Sequence, residues 1–552
     1  MSKKEKIVLA VVLILAFYLR IWGINYGLPN FFIGDEQSIV GGALKMGELK
    51  ILIPALYPEE FRSLYYPPFI SYLYLIFLTP FILIKYLFGG FLDFAEFRQE
   101  LSLNYGFVWF WARFFTALIG SATIYLVYLI GKKFFNKKTA FFASLFFSLS
   151  FFHLQLSHFA RHWAPIVFFF CLAVLISCFI YKSSCKKYYF LAGLVSGLAF
   201  GISYIGALSL LFVLTIHFLR PRVSLKEKII NKNLWLMVLI FFVFASLAVA
   251  LHPQEFLRIT VGEDTGMTAS KSFAEYLNSF YYYFKALLFL EPILLLFSLA
   301  GFIVLYFKDK KIFFIFSFFI FSYISILYLF FHHEPRYIIF VLPLLCLTAG
   351  FALFFVFNKA KFSALLFLIP AIFLYPFLIG LKYDFLLNQK DTRVIAKEWI
   401  EENLDSEAKI ISALRDIKLT PVKEAIEEQV SIDQESLRSL EKILLETKDD
   451  KYPQPSFYVF HSHFVSRTKL SDLKRYAEEN NYQYFVVSYW DSAQIEAREK
   501  EIINSAELEK TFSGNGEGIT YDLNANLDLP INYLFSLDRL GPIVEIYKLP
   551  LR

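Results

Sequence analysis

The sequence predicts a polytopic α-helical membrane protein with an α/β soluble domain at its C-terminal end. The chain has 552 residues, of which 57% are apolar and only 18% are charged, whereas soluble globular proteins carry about 25% charged residues. A soluble chain of this length has too much exterior surface to be covered by so few charged side chains. The composition therefore excludes a soluble enzyme, a nucleic-acid-binding protein and a disordered scaffold.

Apolar runs predict about 11 transmembrane helices, because a spanning helix needs roughly 17–25 mostly apolar residues. The stretch 188–219 is interrupted by glycines and predicts two short helices that meet near Ser203. The run 69–88 is also long enough to span, and its assignment depends on topology. The remaining runs are 7–27, 107–130, 139–157, 164–181, 233–251, 285–306, 312–331, 336–357 and 362–381.

The change in composition near residue 383 divides the chain into two domains. Residues 1–382 form the membrane domain, with a first outer loop and juxtamembrane helices at 28–106, and residues 383–552 form the soluble domain. The first apolar run is too long for a cleavable signal peptide and lacks a cleavage site. The four cysteines lie in or beside apolar segments, so we expect no disulfide framework. Within the soluble domain the patterns predict helices at 391–404 and 470–481 and strands at 456–460, 484–489 and 542–549.

Lysine and arginine in the short loops predict the orientation of the chain. They cluster in every second connection, which places those connections in the cytoplasm and the soluble domain outside. If Lys3, Lys4 and Lys6 are also cytoplasmic, 69–88 does not cross and is a juxtamembrane or re-entrant helix bent at Pro80. The alternative is an outside amino terminus with 69–88 spanning, which violates the rule only at those three lysines. The basic connections are 132–138, 182–187, 220–232, 308–311 and 359–361.

In this topology the unusual polar residues gather in the outer loops. Ionisable residues beside apolar helices are costly and often functional. A carboxylate there can act as a general base or bind a metal, and arginine can hold a phosphate through two hydrogen bonds. The candidates are Asp35, Glu36, His158, Arg161, His162, His252, Glu255, Glu263, Asp264, His332, His333, Glu334 and Arg336.

Each candidate also has a purely structural interpretation. Asp35 and Glu36 could be a solvated loop pair, and Arg336 could extend to lipid headgroups instead of binding a phosphate. His158 and His162 lie four residues apart, so on a helix they would share a face, either as a packed pair or as metal ligands. The remaining pairs favour a turn at Glu263–Asp264 and an interfacial cap at His332–His333.

The sequence motifs favour chemistry on a lipid-linked group. The chain shows no P-loop, no dinucleotide-binding fingerprint and no zinc-protease or serine-hydrolase motif. A transferase outside the cell needs an activated group on a lipid carrier, and arginine and histidine could stabilise a departing polyprenyl phosphate.

Several segments, in the same order along the chain, resemble the GT-C superfamily of integral-membrane glycosyltransferases. The group they resemble most is that of the dolichyl-phosphate-mannose protein mannosyltransferases and aminoarabinose transferases, and WWDYG, typical of oligosaccharyltransferases, is absent. The matching segments are the acidic pair Asp35-Glu36, Tyr66-Pro67-Pro68-Phe69, Arg113 with ALIGSATIYLVYLIGKKFF, GLVSGLAFGISYIGAL (193–208), EPRYIIFVLPLL (334–345) and DTRVIAKEWIEEN (391–403).

The resemblance implies roles for the residues that match. Asp35 corresponds to the essential outer-loop carboxylate, which acts as catalytic base or acceptor binder, and Glu36 would support it. Arg336 would contact the phosphate of a polyprenyl-phosphate sugar donor. The chain departs from many relatives at His162 and Ser203, where they have Asp and Lys, and this leaves the need for a divalent metal open.

The resulting hypothesis is an extracytoplasmic, inverting glycosyltransferase of the cell membrane, with a membrane lipid carrier and a hydroxyl acceptor (protein, lipid or glycan) as partners and no nucleic acid. Arg161, His162 and His158 would assist Arg336 at the phosphate. Acceptor or loop roles fall to His252, Glu255, Glu263 and His333. The alternatives are a lipid or glycan transporter or flippase with an accessory outer domain, and a catalytically inactive scaffold. Transporters place ionisable or broken elements at the membrane midplane, whereas here the central parts of the spans are nearly free of ionisable groups.

Overall fold

The computed structural model describes residues 3–30, 32–104, 106–221, 223–261, 272–330, 334–358, 362–413, 417–522 and 530–550. Four of the predicted site residues, Glu263, Asp264, His332 and His333, lie outside these ranges.

The membrane domain is built from helices in its described parts. In chain order they are α1 (Lys3–Ile21), α2 (Gly34–Leu49), α3 (Pro68–Phe88), α4 (Phe94–Leu103), α5 (Gly106–Phe134), α6 (Lys137–Leu149), α7 (Phe151–His158), α8 (Trp163–Lys182), α9 (Lys186–Ile202), α10 (Leu208–Phe218), α11 (Leu225–Ile230), α12 (Lys232–Leu251), α13 (Pro253–Val261), α14 (Phe273–Leu290), α15 (Pro292–Lys308), α16 (Lys310–Phe330), α17 (Leu342–Phe357) and α18 (Phe362–Leu387).

The predicted helical membrane architecture is confirmed. Six helices within the described ranges are long and apolar enough to cross a bilayer, and the pair α6–α7, bent by 54°, makes a seventh if it forms one span. Shorter apolar helices of 10–17 residues occupy Tyr204–Phe218, Pro292–Lys308 and Leu342–Phe357. The number of about 11 spans stays a prediction.

The predicted break near Ser203 is present. Helix α9 ends at Ile202, Ser203 has extended backbone angles, and a short 3-10 turn over Tyr204–Ala207 leads into α10. The turn folds back closely on α9, since a Cβ added to Gly206 would lie 2.2 Å from the carbonyl oxygen of Ala199. A glycine is therefore required at this break.

Helix α3 packs on the first third of α5. The hydroxyl of Tyr74 lies 2.9 Å from that of Thr116, and at the other end of α3 the ammonium of Lys85 lies 4.8 Å from the ring centre of Phe107. Helix α5 continues to Phe134, well beyond this contact. By length and composition alone α3 could cross a bilayer, and besides α5 it packs on α2 and α9.

Helix α4, which follows α3, is tied both to α2 and to the soluble domain. The guanidinium of Arg98 lies 2.6 Å from the carboxylate of Glu48 at the end of α2. On its other side, the carboxylate of Glu96 lies 3.6 Å from the ammonium of Lys451. These contacts place α2, the end of α3 and α4 beside the soluble domain.

The soluble domain has a six-stranded sheet with the order β2-β3-β1-β4-β6-β5. The first four strands in this order are mutually parallel, whereas β6 is antiparallel to both β4 and β5. The predicted strands at 456–460, 484–489 and 542–549 are present as β3, β4 and β6. The strands are β1 (Lys409–Ser412), β2 (Thr420–Pro421), β3 (Ser456–His461), β4 (Tyr484–Tyr489), β5 (Glu507–Phe512) and β6 (Ile543–Lys548).

Helices cover both faces of this sheet. The sheet has a hydrophobic core on each face, because successive strand residues point to opposite faces. Ile410 packs with Ala396 and Ile400 of the first helix, and Ile411 packs on the opposite face with Leu473. The helices are α19 (Thr392–Asn403), α20 (Lys423–Ile432), α21 (Ser439–Glu446), α22 (Leu473–Glu479) and α23 (Ala497–Ile503).

The two predicted domains follow each other without a long linker. Helix α18 continues to Leu387, past the predicted boundary at 382, and α19 begins at Thr392. The segment that follows α1 packs against this junction: Gly23 has a φ of +84°, and a Cβ there would lie 2.5 Å from Cβ of Leu387. The end of the membrane domain therefore lies beside the loop that leads to Asp35.

Candidate active site

Asp35 lies in the first turn of α2, where its negative charge interacts favourably with the helix dipole. Its side chain is 27% exposed, and its Oδ2 contacts a guanidinium nitrogen of Arg161. A guanidinium nitrogen of Arg336 lies 3.7 Å from the same oxygen. The structure thus brings together three predicted site residues that are far apart in the sequence.

The loop that carries Arg161 is fixed by α3 and α5. The Tyr74 hydroxyl lies 3.0 Å from the carbonyl oxygen of Arg161, to which it donates, and it also contacts the Thr116 hydroxyl. Arg161 is buried, whereas Arg336 is partly exposed. Arg336 is further held by Glu334, whose carboxylate lies 2.9 Å from its Nε.

The two arginines determine the charge state of Asp35. Burial alone would raise the pKa of this carboxyl, but the cations of Arg161 and Arg336 outweigh burial and lower the pKa to about 2. Asp35 is therefore ionised at any physiological pH. Such a carboxylate accepts a hydrogen bond from a hydroxyl well, but it is a weak base as long as both arginines stay close to it.

His162 packs between two aromatic rings beside the arginines. Its ring centre lies 4.5 Å from that of Tyr66 and 4.2 Å from that of Trp163, and the guanidinium of Arg336 lies 5.8 Å from the Trp163 ring centre. The imidazole is buried, and its Nδ1 has no hydrogen-bond partner among the described residues. This nitrogen is therefore a buried polar atom without a partner among the described residues.

A histidine with the usual pKa of about 6.5 would carry a partial positive charge near neutral pH, but the surroundings of His162 change its pKa. Burial lowers the pKa of His162 to about 3, because desolvation and the two arginines outweigh the attraction of Asp35. The imidazole is therefore neutral, and its contribution to a phosphate site is a hydrogen bond and not a charge.

Glu36 is predicted as a catalytic partner of Asp35, but the structure places it where no substrate can reach. Its side chain is 0% exposed, and its two oxygens lie 2.8 and 2.7 Å from Nε and Nη2 of Arg113. One of these oxygens also accepts a hydrogen bond of 2.6 Å from the amide of Ala160. Glu36 thus connects α2, α5 and the loop before Arg161.

Arg113 is a residue that the sequence argument did not assign to the site. Besides Glu36, it donates hydrogen bonds to the carbonyl oxygens of Ile24 and Tyr26, at 2.8 and 2.7 Å. It therefore fixes the segment between α1 and α2 on both sides of the turn before Asp35. An arginine within the apolar run GFVWFWARFF is the signal that could have identified it, because a buried charge in such a segment requires a partner.

His158 is predicted at the phosphate, but the structure places it in a different polar contact. It lies at the end of α7, and its Nε2 is 3.2 Å from the carboxylate of Asp384 on α18 and 3.2 Å from the carbonyl oxygen of Trp22. Its other ring nitrogen contacts the carbonyl oxygen of Leu154. Both ring nitrogens are engaged, so His158 anchors α7 and does not form a ligand pair with His162.

His252 and Glu255, predicted as acceptor or loop residues, support the loop before α3. The His252 imidazole lies 2.8 Å from the carbonyl oxygen of Leu64. Glu255 accepts two hydrogen bonds from Arg258, at 2.8 and 2.9 Å, and this guanidinium lies 5.3 Å from the Tyr65 ring centre. Both residues thus act on the segment that presents Tyr66 to His162. Glu263 and His333 lie outside the described residues.

Two protein families match separate segments of the chain. Residues 96–249 match the dolichyl-phosphate-mannose-protein mannosyltransferase family, and residues 275–412 match the Alg9-like mannosyltransferase family. The chain resembles GT-C glycosyltransferases, as the sequence predicts. The first matched segment of this GT-C-like chain contains Arg113, Arg161 and His162, and the second contains Arg336.

Several solved structures are similar to this GT-C-like chain at low identity. ArnT from Cupriavidus metallidurans bound to undecaprenyl phosphate is 11% identical with a TM-score of 0.46, covering 99% of this chain and 98% of that one. The oligosaccharyltransferase AglB from Archaeoglobus fulgidus, in complex with an inhibitory peptide and a dolichol-phosphate, is 14% identical with a TM-score of 0.46, covering 88% and 70%. The S. cerevisiae protein O-mannosyltransferase Pmt1-Pmt2 complex bound to the sugar donor is 19% identical with a TM-score of 0.35, covering 46% of this chain and 34% of that one. No curated protein matches the chain.

Proposed function

We propose that the protein is an extracytoplasmic glycosyltransferase that moves a sugar from a polyprenyl-phosphate carrier to a hydroxyl acceptor with inversion. The observation that carries this proposal is the cluster of one partly exposed carboxylate, Asp35, between the guanidinium groups of Arg161 and Arg336. The matches to two mannosyltransferase families support it.

The two arginines suit the phosphate of the donor. A guanidinium can bind a phosphate through two parallel hydrogen bonds, and Arg336 is partly exposed while Arg161 lies buried behind it. Negative charge grows on the phosphate as the sugar leaves, and fixed cations in a dry site stabilise that charge most when it is largest. The unpartnered Nδ1 of the neutral His162 would donate or accept one further hydrogen bond.

Asp35 would bind the acceptor hydroxyl. Its carboxylate accepts the hydroxyl proton in a hydrogen bond and so directs the oxygen lone pair towards the anomeric carbon, on the side opposite the phosphate. Attack from that side inverts the configuration. A bound donor phosphate would also share the positive charge of Arg336 and Arg161 with Asp35, and weaker pairing with these cations raises the pKa of a carboxyl. Donor binding would therefore make Asp35 a stronger base at the moment when a base is needed.

We include no metal in this mechanism. The described residues contain no group of three or more His, Cys, Asp or Glu side chains placed to hold a metal ion. Around Asp35 the neighbouring charges are those of Arg161 and Arg336, which repel a cation. Among the described residues, where Glu334 is itself paired with Arg336, the groups around Asp35 therefore fit an anion and not a metal ion.

The proposed orientation places the amino terminus in the cytoplasm and the site and soluble domain outside, with α3 not crossing. The basic connections support it, and so does α4, the helix that follows α3, which is tied to α2 and to the soluble domain. Asp35, Arg161 and Arg336 lie at helix starts and loops, which favours an enzyme at the interface over a midplane transporter.

Binding of the lipid phosphate by an Arg336→Ala variant tests the proposal. The purified parent should bind a polyprenyl phosphate, with a change in the fluorescence of Trp163, which lies 5.8 Å from the Arg336 guanidinium. Loss of a hydrogen bond to a charged group costs about 1.5–3 kcal/mol, so affinity should fall roughly 10- to 100-fold. Arg336→Lys should recover part of it, since an ammonium lacks the two-pronged geometry.

The matched control is Arg98→Ala, which removes an exposed arginine that pairs with Glu48 on the surface. It should bind the polyprenyl phosphate as the parent does. Equal affinity in the parent and the Arg336→Ala variant would contradict the proposed donor site.

A further inference from the structure

A buried cluster of side chains joins the soluble domain to the segment between α1 and α2. Asp391, which caps the start of α19, accepts hydrogen bonds from Nε and Nη2 of Arg393, at 2.8 and 3.0 Å. The hydroxyl of Tyr26 donates to the same carboxylate. The guanidinium of Arg393 lies over the ring of Phe32, 3.6 Å from its centre. We call these four side chains, each at least nine-tenths buried, the interdomain clasp.

The clasp is connected to the candidate site by two short routes. Phe32 belongs to the same loop as Asp35 and is followed directly by the residue that caps α2. On the second route, the carbonyl oxygen of Tyr26 accepts a hydrogen bond of 2.7 Å from Arg113, which also holds Glu36. A change in the clasp therefore acts on both sides of the turn that presents Asp35.

The soluble domain holds its half of the clasp rigidly. Thr392 donates from its amide to the carbonyl oxygen of Leu540, at 3.1 Å, and from its hydroxyl to that of Pro542, at 2.7 Å. Between them Gly541 has a φ of +123°, and a Cβ there would lie 2.1 Å from the Thr392 hydroxyl. Only a glycine permits this close approach, so the loop over 540–542 fixes Asp391 and Arg393 from behind.

The energetics distinguish the clasp from an ordinary surface contact. Removing an arginine and an aspartate from water is costly, and the cost is offset only where both are fully hydrogen-bonded. A soluble domain with no role at the site would not need to bury such a pair against Phe32, which lies in the segment that leads to Asp35.

We propose that Asp391 and Arg393 are positioning residues for the transfer reaction, through which the soluble domain holds Asp35 in its reactive place. This inference rests on the proposed function. It assigns the soluble domain a part in turnover while the donor phosphate remains bound by Arg161 and Arg336.

Two variants test the inference by separating turnover from donor binding. Tyr26→Phe removes one hydroxyl and keeps the ring, and Arg393→Gln removes the cation from the Phe32 ring. Small displacements of reacting groups cost on the order of 10- to 100-fold in rate, so kcat should fall by that factor in both. The affinity for polyprenyl phosphate should stay within about twofold, since neither residue contacts the arginines that bind it.

A conservative variant and a control complete the kinetic test. Arg393→Lys should recover much of kcat, because an ammonium over an aromatic ring is also attracted to it. The control Arg475→Gln removes an exposed arginine that pairs with Glu479 on α22 of the same domain, and it should leave kcat unchanged. Parent-like kcat in both Tyr26→Phe and Arg393→Gln would overturn the inference.

Hydrogen exchange provides a readout that does not depend on activity. If the clasp positions the segment that carries Asp35, the backbone amides of residues 32–38 should exchange several-fold faster in Tyr26→Phe and Arg393→Gln than in the parent or in Arg475→Gln. Unchanged exchange in both clasp variants would overturn the inference even if transfer were never detected. A parent that transfers no sugar, together with faster exchange in the clasp variants, would instead contradict the proposed function alone.

Discussion

Glu36→Gln should destabilise the fold by about 3–5 kcal/mol, the usual cost of removing one charge from a buried ion pair. The side chain is completely buried, and its carboxylate accepts from Nε and Nη2 of Arg113 and from the amide of Ala160. Glutamine keeps the shape, but its NH2 group faces a donor, so one contact becomes a repulsion. Arg113 is left charged and buried without a counter-ion.

Glu48→Gln is the matched control, because Glu48 lies on the same helix and also pairs with an arginine. Its contact with Arg98 is 2.6 Å long, but the two side chains are 38% and 63% exposed. Exposed pairs contribute only about 0–1 kcal/mol. The two changes are the same in chemistry, so the difference between them isolates the effect of burial.

Equilibrium unfolding in mixed detergent micelles, followed by circular dichroism, measures both variants against the parent. Glu36→Gln should lose several times more unfolding free energy than Glu48→Gln. If Glu36→Gln loses no more unfolding free energy than Glu48→Gln, Glu36 is not a buried structural residue, and a catalytic or solvated role would apply instead.

His162 is neutral because its pKa is lowered to about 3. We therefore expect His162→Asn to keep most of the transfer rate. His162→Asp should lose about tenfold or more, because it places a second carboxylate beside the donor phosphate. Equal rates in the two variants would place the phosphate elsewhere. The kcat/KM of the parent, which reports the groups of the free enzyme, should show no titration between about pH 5.5 and 8.5, since in the free enzyme Asp35, with a pKa of about 2, stays charged and His162 stays neutral; a limb near the usual histidine pKa of about 6.5 would contradict this. In intact cells Glu59→Cys, exposed in the first outer loop, should react with an impermeant maleimide, and the native exposed Cys185 only after permeabilisation. The reverse pattern would overturn the topology.

The elements with a strong local signal could be predicted from the sequence. Strands such as Tyr484–Tyr489 are short β-branched and aromatic runs, and α19 has both a capping aspartate and an amphipathic pattern. The break at Ser203 follows from its glycines. The cluster of Asp35, Arg161 and Arg336 could be anticipated because these residues fall in outer loops of one predicted face.

Contacts between distant segments could not be predicted in this way. The pairing of Glu36 with Arg113 depends on where α2 lies relative to α5 in the fold, which no local pattern specifies. Similarly, the sequence predicts His158 as a second histidine of the site, whereas in the structure it pairs with Asp384 of α18. The charge of His162 depends on burial between Tyr66 and Trp163, and a reference pKa contains no information about burial.

Transfer by Asp35→Asn tests the central claim most directly. The variant keeps the shape of the side chain and removes its charge and basicity, and loss of general-base catalysis typically lowers the rate by about 10²–10⁴-fold. The assay follows release of labelled sugar from a defined polyprenyl-phosphate hexose in the presence of a panel of hydroxyl acceptors, with binding of the polyprenyl phosphate measured in parallel. We predict that Asp35→Asn binds the lipid phosphate at least as well as the parent, because its arginines are freed, and yet transfers at least about 100-fold more slowly. Near-parent transfer by a folded Asp35→Asn protein would contradict the account.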